Sequence, residues 1–542
     1  MGSSSECAEG RRRVRLVVFS ITAEWGRLRE VLRAEQEDET ICAVTPNFLF
    51  PSERERMARE NPRVQVFRTF HDLLEREDME FCDAEADRRV LSRGEGREGR
   101  VEEYYGEIMQ LKNQRAARRL AEEFEVRGGV LLSGDLGIAP DVWLELGLLD
   151  RRVPAAAAEE ASVGAKLRRW LSNPVRFHVL EWNEERWLLV GRPERVAQYL
   201  DRTVIKLREL GRGWTWWFNV QMKLVLKLRL PSSVVRPILR VVNAPWAMRH
   251  RSLRYVAATV HEDNVAVARL AEGLGFDYVN LQDSFLPSYY PSRYLLYRPA
   301  VRLFFVWDNF SRGLFERHGL ESARWEAFKA WTLPTIGRAP TPVRRILYLS
   351  SGAGDWTALK NRSDEDLALA LLAEVARVRP EMEIRYRPHP LWLHPEHQGM
   401  NSIERAVELV EEMGLPNLFV SQGARKDGRS FSLSGNLSSV SSSMEEDVDW
   451  AELVIGEHSQ TILVGAQRGK LVVGLNVSKH PAYFGDYARI GFPLVSAAGE
   501  LLSVIEQLSR AETAELLLDK YNEAIVRHNR ENVDGPAERM RG

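Results

Sequence analysis

Short apolar runs, each followed by a polar turn, recur along the whole chain. Residues 14–20 (Val-Arg-Leu-Val-Val-Phe-Ser), Thr40–Val44 and Val64–Phe67 read as buried strands in the first part. Residues 129–137 (Gly-Val-Leu-Leu-Ser-Gly-Asp-Leu-Gly) are a further strand running into a turn. A second series comprises Tyr255–Val260, Tyr278–Leu281 and Leu303–Trp307, and a third comprises Arg345–Leu349, Ile384–Arg387, Leu418–Val420, the Glu-His-Ser strand and Leu471–Leu475. Between them, Trp25–Gln36, Val265–Leu274 with Asp263 as its cap, Asp364–Val378, Ile403–Met413 and Ala511–Asn529 read as helices. Strands alternating with helices predict an α/β fold built on parallel sheets.

Other stretches predict the connections. Residues 72–128 are highly charged and read as helical, a protruding hairpin. Ala155–Glu160 is helix or linker, and residues 430–443, rich in Ser and Gly, read as a mobile loop. Prolines 334, 340 and 342 mark residues 333–343 as the interdomain linker. This gives an N-terminal Rossmann-like domain at 1–335 with insertions near 72–128 and 155–250. A C-terminal Rossmann-like domain follows at 336–510, and a helical segment at 511–542 packs back on the first domain.

Length and composition agree with several domains: 542 residues exceed one ordinary core. A net charge of -2 gives no global case for nucleic-acid binding. Cys7, Cys42 and Cys82 have neither metal-ligand nor disulfide spacing, which fits a reducing cytosol. The N-terminus has no signal-peptide apolar region, and no stretch has transmembrane length. The expectation is a cytoplasmic protein, with docking on the inner face of a membrane left open.

Two motifs carry the candidate chemistry. One is Ile384-Arg385-Tyr386-Arg387-Pro388-His389-Pro390; the other runs from Asp449 to Gly456-Glu457-His458-Ser459-Gln460-Thr461. In a parallel α/β sheet, ligands bind beyond the carboxyl ends of the strands. Two such ends converging on one crevice suit the diphosphate of a nucleotide-linked donor. His389, stiffened by prolines on both sides, can donate to a phosphate oxygen; its plain alternative is a surface-loop histidine. Ser459 and Thr461 open a helix, Gln460–Ala466, whose first N–H groups and dipole favour an anion. Ser459 as a cap of its own helix is compatible with that. Glu457 suits a sugar or ribose hydroxyl, and His458 is either a second donor or a packed histidine. Ser350-Ser351-Gly352-Ala353-Gly354 admits a phosphate or sugar close to the backbone, although it matches neither the P-loop nor the dinucleotide fingerprint. His389, His394, His397 and His458 lack metal-ligand spacing, so no metal is expected.

These motifs resemble bacterial capsule and surface-polysaccharide glycosyltransferases of the GT-B fold: capsule Kdo transferases, polysialyltransferases and CDP-glycerol polymerases. The matching residues are His389-Pro390, Ser459 with Thr461, and Gly469-Lys470-Leu471-Val472-Val473. The resemblance covers 345–480 and extends weakly to Leu281–Pro287 and Phe305–Ser311. It implies two Rossmann-like domains facing a cleft, with the donor's phosphates held by the histidine and the hydroxyl residues. This chain has Ser-Gln-Thr where several relatives have adjacent hydroxyls, which leaves the phosphate ligand open. The implied donor site is Ser351, Gly352, Arg387, His389, Pro390, Glu457, His458, Ser459 and Thr461. No cofactor is implied; the nucleotide-sugar is a substrate.

Transfer to a hydroxyl needs a base near the acceptor. Glu24, Asp135, His261, Glu262 and Asp283 stand at strand ends of the first domain, and Asp135 in Ser-Gly-Asp-Leu-Gly resembles the acidic-Gly turn of polysialyltransferases. Asp135 and Glu262 are carried forward with His389 as the catalytic set. The partners are then a nucleotide-sugar donor and a glycan or lipid-linked acceptor, without nucleic acid.

From Arg202 to Arg254 there are twelve Lys/Arg and one acidic residue, Glu209, with Trp214, Trp216, Trp217, Phe218 and Trp246 interleaved. This composition suits an anionic membrane surface, a polyanionic acceptor or a nucleic acid. It equally suits a packed insertion whose cations face water. The leading function is metal-independent sugar transfer. The alternatives are a nucleotide-sugar epimerase of the same fold and a non-catalytic glycan-binding protein.

Overall fold

The computed structural model describes residues 12–19, 40–46, 49–92, 101–132, 139–152, 175–182, 184–191, 205–228, 232–259, 264–282, 301–317, 320–324, 332–337, 342–350, 362–388, 403–422, 439–441, 443–457, 460–477 and 490–533. The architecture is α/β, with three sheets flanked by helices.

The first sheet is parallel throughout. Its elements are β1 (Arg12–Val18), β2 (Ile41–Thr45), α1 (Pro51–Glu60), β3 (Val64–Thr69), α2 (Phe70–Leu73), α3 (Arg76–Ser92), α4 (Val101–Glu123), β4 (Phe124–Leu131), α5 (Pro140–Glu145) and β5 (Arg151–Arg152). The strand order β3-β2-β1-β4-β5 is that of a doubly wound Rossmann-like unit, reversing direction between β1 and β4. The charged 72–128 stretch forms a helical hairpin, but its packing departs from the protruding hairpin expected. Cys82 and Ala86 of α3 and Ile108 and Leu111 of α4 are buried in the same apolar cluster as Leu180, Trp187 and Leu189 of the second sheet. A narrow inward stripe is enough to bury a helix whose other faces are charged.

The stretch expected as one domain over 1–335 carries a second sheet. Its elements are β6 (Phe177–Trp182), β7 (Glu185–Val190), β8 (Ile205–Glu209), α6 (Arg212–Leu228), α7 (Ser232–Arg249), β9 (Leu253–Thr259), α8 (Asn264–Leu274), β10 (Asp277–Leu281), β11 (Leu303–Val306), α9 (Asn309–Arg317) and β12 (Ser322–Arg324). The order is β12-β11-β10-β9-β7-β6-β8, with β6 antiparallel to both neighbours. From β7 outward the parallel strands step in one direction only. Right-handed crossovers then put every helix on one face. Phe218, Trp246, Leu270 and Phe315, from α6 to α9, accordingly share one cluster with Val179, Leu188, Val256 and Phe304. The opposite face belongs to the large cluster shared with α3, α4 and the third sheet, and there Trp187 sits 5.1 Å from both Tyr255 and Phe305.

The third sheet is parallel and Rossmann-like. It comprises β13 (Arg345–Leu349), α10 (Arg362–Val378), β14 (Glu383–Arg387), α11 (Ile403–Met413), β15 (Leu418–Gln422), β16 (Ser439–Ser441), α12 (Met444–Trp450), β17 (Leu453–Gly456), α13 (Gln460–Gln467), β18 (Leu471–Leu475) and β19 (Leu494–Val495). α14 (Ala498–Ser509) and α15 (Ala511–Val533) follow. The order is β16-β15-β14-β13-β17-β18-β19, reversing between β13 and β17. The strand β16 closes the edge within the stretch expected as a loop; residues 430–438 and 442 of that stretch lie outside the described residues. So do the expected helix Trp25–Gln36 and the segment Ala155–Glu160.

The linker is held rather than free. The backbone N–H groups of Leu333 and Ile336 donate to Asn529 Oδ1 (2.9 Å) and Asn522 Oδ1 (2.8 Å), and both asparagines donate back to the same residues' carbonyls. Asn522 and Asn529, seven apart, lie on one face of α15. Leu333 and Ile336 are themselves buried. α15 also packs against α9 of the second sheet.

Candidate functional site

The topology of the third sheet assembles both sequence motifs. The central strand β13 lies between β14 and β17, so Ser350, Arg387-Pro388 and Glu457 follow three adjacent parallel strands at one end of the sheet. Ser350 N–H donates to Arg387 O at 3.0 Å, extending the ladder to the last residue before the Ser-Gly turn. The strand order reverses between β13 and β17, where an open α/β sheet leaves its crevice. Glu457, just past β17, is buried.

Two glycines hold α13 at that crevice. A Cβ on Gly456 would stand 3.1 Å from Leu349 O and 3.6 Å from Ile462 Cδ1. A Cβ on Gly465 would come within 3.0–3.2 Å of the Val454 side chain. The missing side chains bring α13 tight onto β17, so its amino end begins right after the strand. The unpaired N–H groups and positive dipole end then face the crevice. Gly469, two residues past α13, has φ +67°, the left-handed conformation that caps helices. The next residue, Lys470, donates to Asp449 O (2.8 Å) and Ala451 O (2.9 Å), the carbonyls at the end of α12. Burial lowers its pKa. The Gly-Lys motif that contributed to the resemblance thus has a structural task, closing two helix ends.

The expected donor ligand Arg387 lies in an ion network. Arg385 and Arg387 share one face of β14, and both reach Asp447 of α12, which is fully buried. Arg387 Nη1 lies 2.5 Å from Asp447 Oδ2 and 3.2 Å from Ser421 Oγ. Arg385 Nη1 lies 3.3 Å from Asp447 Oδ1, and its guanidinium stacks 3.7 Å over the Trp450 ring. Ser421 donates to the same carboxylate. Ser443 caps α12 and orients Asp447 through a capping box with Glu446. The arrangement fixes the carboxyl end of β14, from which Pro388-His389-Pro390 leaves. Asp447, unassigned from the sequence alone, is the residue that organises this end. Its signal was the pair of arginines two apart on a strand otherwise buried, which require a nearby carboxylate.

Of the other expected site residues, Asp135, Glu262, Ser351, Gly352, His389, Pro390, His458 and Ser459 lie outside the described residues, as do Glu24, His261 and Asp283. Thr461 lies in the first turn of α13. The strands that precede two of them in sequence are placed: β4, before Asp135, lies at the reversal point of the first sheet, and β9, before Glu262, lies in the singly wound sheet.

The polar residues after β10 and β11 act on one another. Gln282 Nε2 donates to Ser311 Oγ (3.0 Å), while Trp307 donates to Gln282 from its backbone and its indole. Asp308 caps α9 by accepting from Ser311 N–H at 2.7 Å. The segments 281–287 and 305–311, weakly included in the resemblance, are therefore structural where described. Among the described residues no group of three His, Cys, Asp or Glu side chains is arranged to hold a metal. Among them, too, no helix is long and apolar enough to cross a membrane.

No protein-family model matches the chain, and no curated protein matches it. Several solved structures are similar in part. Anabaena HepE in complex with UDP and glucose is 13% identical, with 53% of this chain and 79% of that one covered and a TM-score of 0.31. The UDP-GlcNAc 2-epimerase from Neisseria meningitidis bound to UDP-GlcNAc is 11% identical over 55% of this chain and 80% of that one, at 0.31. MurG from Acinetobacter baumannii is 10% identical over 95% and 98%, at 0.29. At such scores the likenesses are loose, and the functional reading rests on the chain's own topology and residues.

Proposed function

We propose that the chain is a glycosyltransferase that moves a sugar from a nucleotide-sugar donor to a surface-glycan, capsule or lipid-linked acceptor without a bound metal. The observation that carries this reading is the adjacency of three strand ends at the reversal point of the third sheet: Ser350 before the Ser-Gly turn, Arg387-Pro388 before His389, and Glu457 before the start of α13. The donor's diphosphate sits there, against Ser351, Gly352, His389, Pro390, Ser459, Thr461 and the amino end of α13. Charge that grows on the leaving phosphate is met by the helix dipole and His389. Glu457 and His458 hold hydroxyls of the ribose or sugar. Arg387 contributes by fixing the strand end, its guanidinium being engaged with Asp447.

The base that takes the acceptor proton comes from the amino-terminal part. Asp135 is favoured over Glu262, because it follows a strand at a reversal point, and the second sheet's parallel strands do not reverse.

A panel of nucleotide-sugars incubated with the protein in EDTA tests the proposal. Expected is release of one nucleoside phosphate that persists in EDTA. It falls by on the order of tenfold to a thousandfold in His389→Ala, as loss of an oxyanion-type donor does. Activity that vanishes in EDTA and returns with Mg²⁺ or Mn²⁺ contradicts the mechanism. Conversion of the free donor into its epimer, with no nucleotide released, replaces transfer by epimerisation.

A further inference from the structure

The basic-aromatic stretch splits into an inner and an outer part. Phe218 and Trp246 are fully buried against the second sheet, and Trp214 and Trp217 pack beside them. The plain reading, aromatics in the core, holds for these four. It fails for the outer side of α7. Leu239, Asn243 and Trp246 point inward, whereas Ile238, Val241, Val242 and Met248 are exposed, Val241 by 76% and Met248 by 58%. With Pro245, which is also exposed, they form an apolar ridge over roughly a third of the helix circumference, about 15 Å long. Trp216 on neighbouring α6 is likewise 61% exposed.

The ridge is rigidly presented. Asn243 and Gln221 exchange side-chain hydrogen bonds at 2.8 Å, and Trp217 Nε1 donates to Asn243 at 3.2 Å, so α6 and α7 are locked together. On the inward side, Gly273 of α8 lets Leu239 pack against the helix backbone. The protein's own core therefore fixes which face of α7 looks outward.

Charge identifies the occupant. Between Glu209 and Glu262 the chain has nine Lys/Arg and no Asp or Glu, so α6 and α7 contribute no carboxylate of their own. Arg249 and Arg251 are exposed at the end of α7 and just after it, whereas Arg236 and Arg240 lie on the α8 side, Arg236 paired with Glu272 and Arg240 donating to its carbonyl. An apolar ridge with a cationic border is what a helix lying in the interface of an anionic bilayer requires: side chains that enter the acyl boundary, and arginines at headgroup level. A protein partner would have to offer an equally apolar and acidic face; a bilayer with anionic lipids offers both as a continuous surface.

We propose that the outer face of α7, through Ile238, Val241, Val242 and Met248 with Arg249 and Arg251, docks the protein on an anionic membrane surface. The contact lies on the helix layer of the second sheet, away from the third sheet's reversal point, and it stands independently of the sugar-transfer reading.

Co-sedimentation with vesicles of equal parts phosphatidylglycerol and phosphatidylcholine, without donor, tests it. The parent protein is expected to bind them, to bind pure phosphatidylcholine poorly, and to bind less as salt rises. The triple variant Ile238→Gln, Val241→Gln, Met248→Gln should weaken binding on the order of tenfold to a hundredfold. Arg249→Gln with Arg251→Gln should weaken it roughly fivefold per charge. All five side chains face solvent, so melting temperatures should stay near the parent's; if the triple variant is unstable, the arginine pair decides. Parent protein that ignores anionic vesicles at low salt overturns the proposal. So does a folded triple variant that binds as well as the parent. Concentration-dependent self-association that the triple variant abolishes, without vesicle binding, assigns the ridge to a second copy and overturns it as well.

Discussion

Asp447 and Arg387 are sixty residues apart in sequence and joined in the structure, the carboxylate fully buried on α12 and the guanidinium at the carboxyl end of β14, 2.5 Å away. A buried carboxylate shared by two arginines cannot lose its charge cheaply, because both cations remain in place. Asp447→Asn should therefore lower unfolding free energy by about 3–5 kcal/mol. Urea denaturation measures this. A loss within about 0.5 kcal/mol, typical of an inconsequential surface change, would show that the network does not hold the strand end.

Gly465 lies inside α13, where alanine ordinarily favours a helix by about 1 kcal/mol. Here the added methyl meets Val454 at 3.0 Å, so the usual gain should be reversed. Gly465→Val should destabilise by about 1–3 kcal/mol through overpacking. It should also weaken nucleotide binding, because α13 is pushed off β17. A Gly465→Ala protein more stable than the parent would show that the close approach is not needed.

His250 follows α7 with its ring 4.5 Å from that of Trp246, and its Nδ1 has no hydrogen-bond partner among the described residues. Burial lowers its pKa, and the charges of Arg186 and Arg249 lower it further. The unfolded chain thus takes up this proton first as pH falls. The stability contributed by neutral His250 is present above its ordinary value near 6.5, and is lost as pH drops through the depressed folded value. Melting temperature should fall between neutral and mildly acid pH, and His250→Gln should flatten that part of the profile. Identical profiles for parent and variant would exclude His250 as the cause.

Buried parallel strands were the most legible part of the fold, because a strand covered on both faces is written as an apolar run. Leu453–Gly456 and Leu471–Leu475 are buried at every position. The strands β6 and β7 are not legible in this way: His178, Glu181 and Arg186 interrupt their apolar pattern. With them went the division of the amino-terminal part into two sheets, since pairing between distant strands leaves no local mark. The inward packing of the α3–α4 hairpin is not legible in the sequence, because its abundant charge outweighs the few inward positions. The site was half legible. Its strand ends and the start of α13 follow from local pattern, while the partner of Arg387 comes from a helix beyond two intervening strands.

The central claim is that a nucleoside phosphate binds at the reversal point of the third sheet. Titration calorimetry with CMP, CDP, UDP and GDP, on the parent and on His389→Ala and Ser459→Ala, tests it most directly. One of these nucleotides should bind the parent, with or without EDTA, and bind each folded variant at least about tenfold more weakly, the loss of one charge-assisted hydrogen bond. If none binds the parent, or if the bound one is indifferent to both substitutions, the site is not where the two motifs place it.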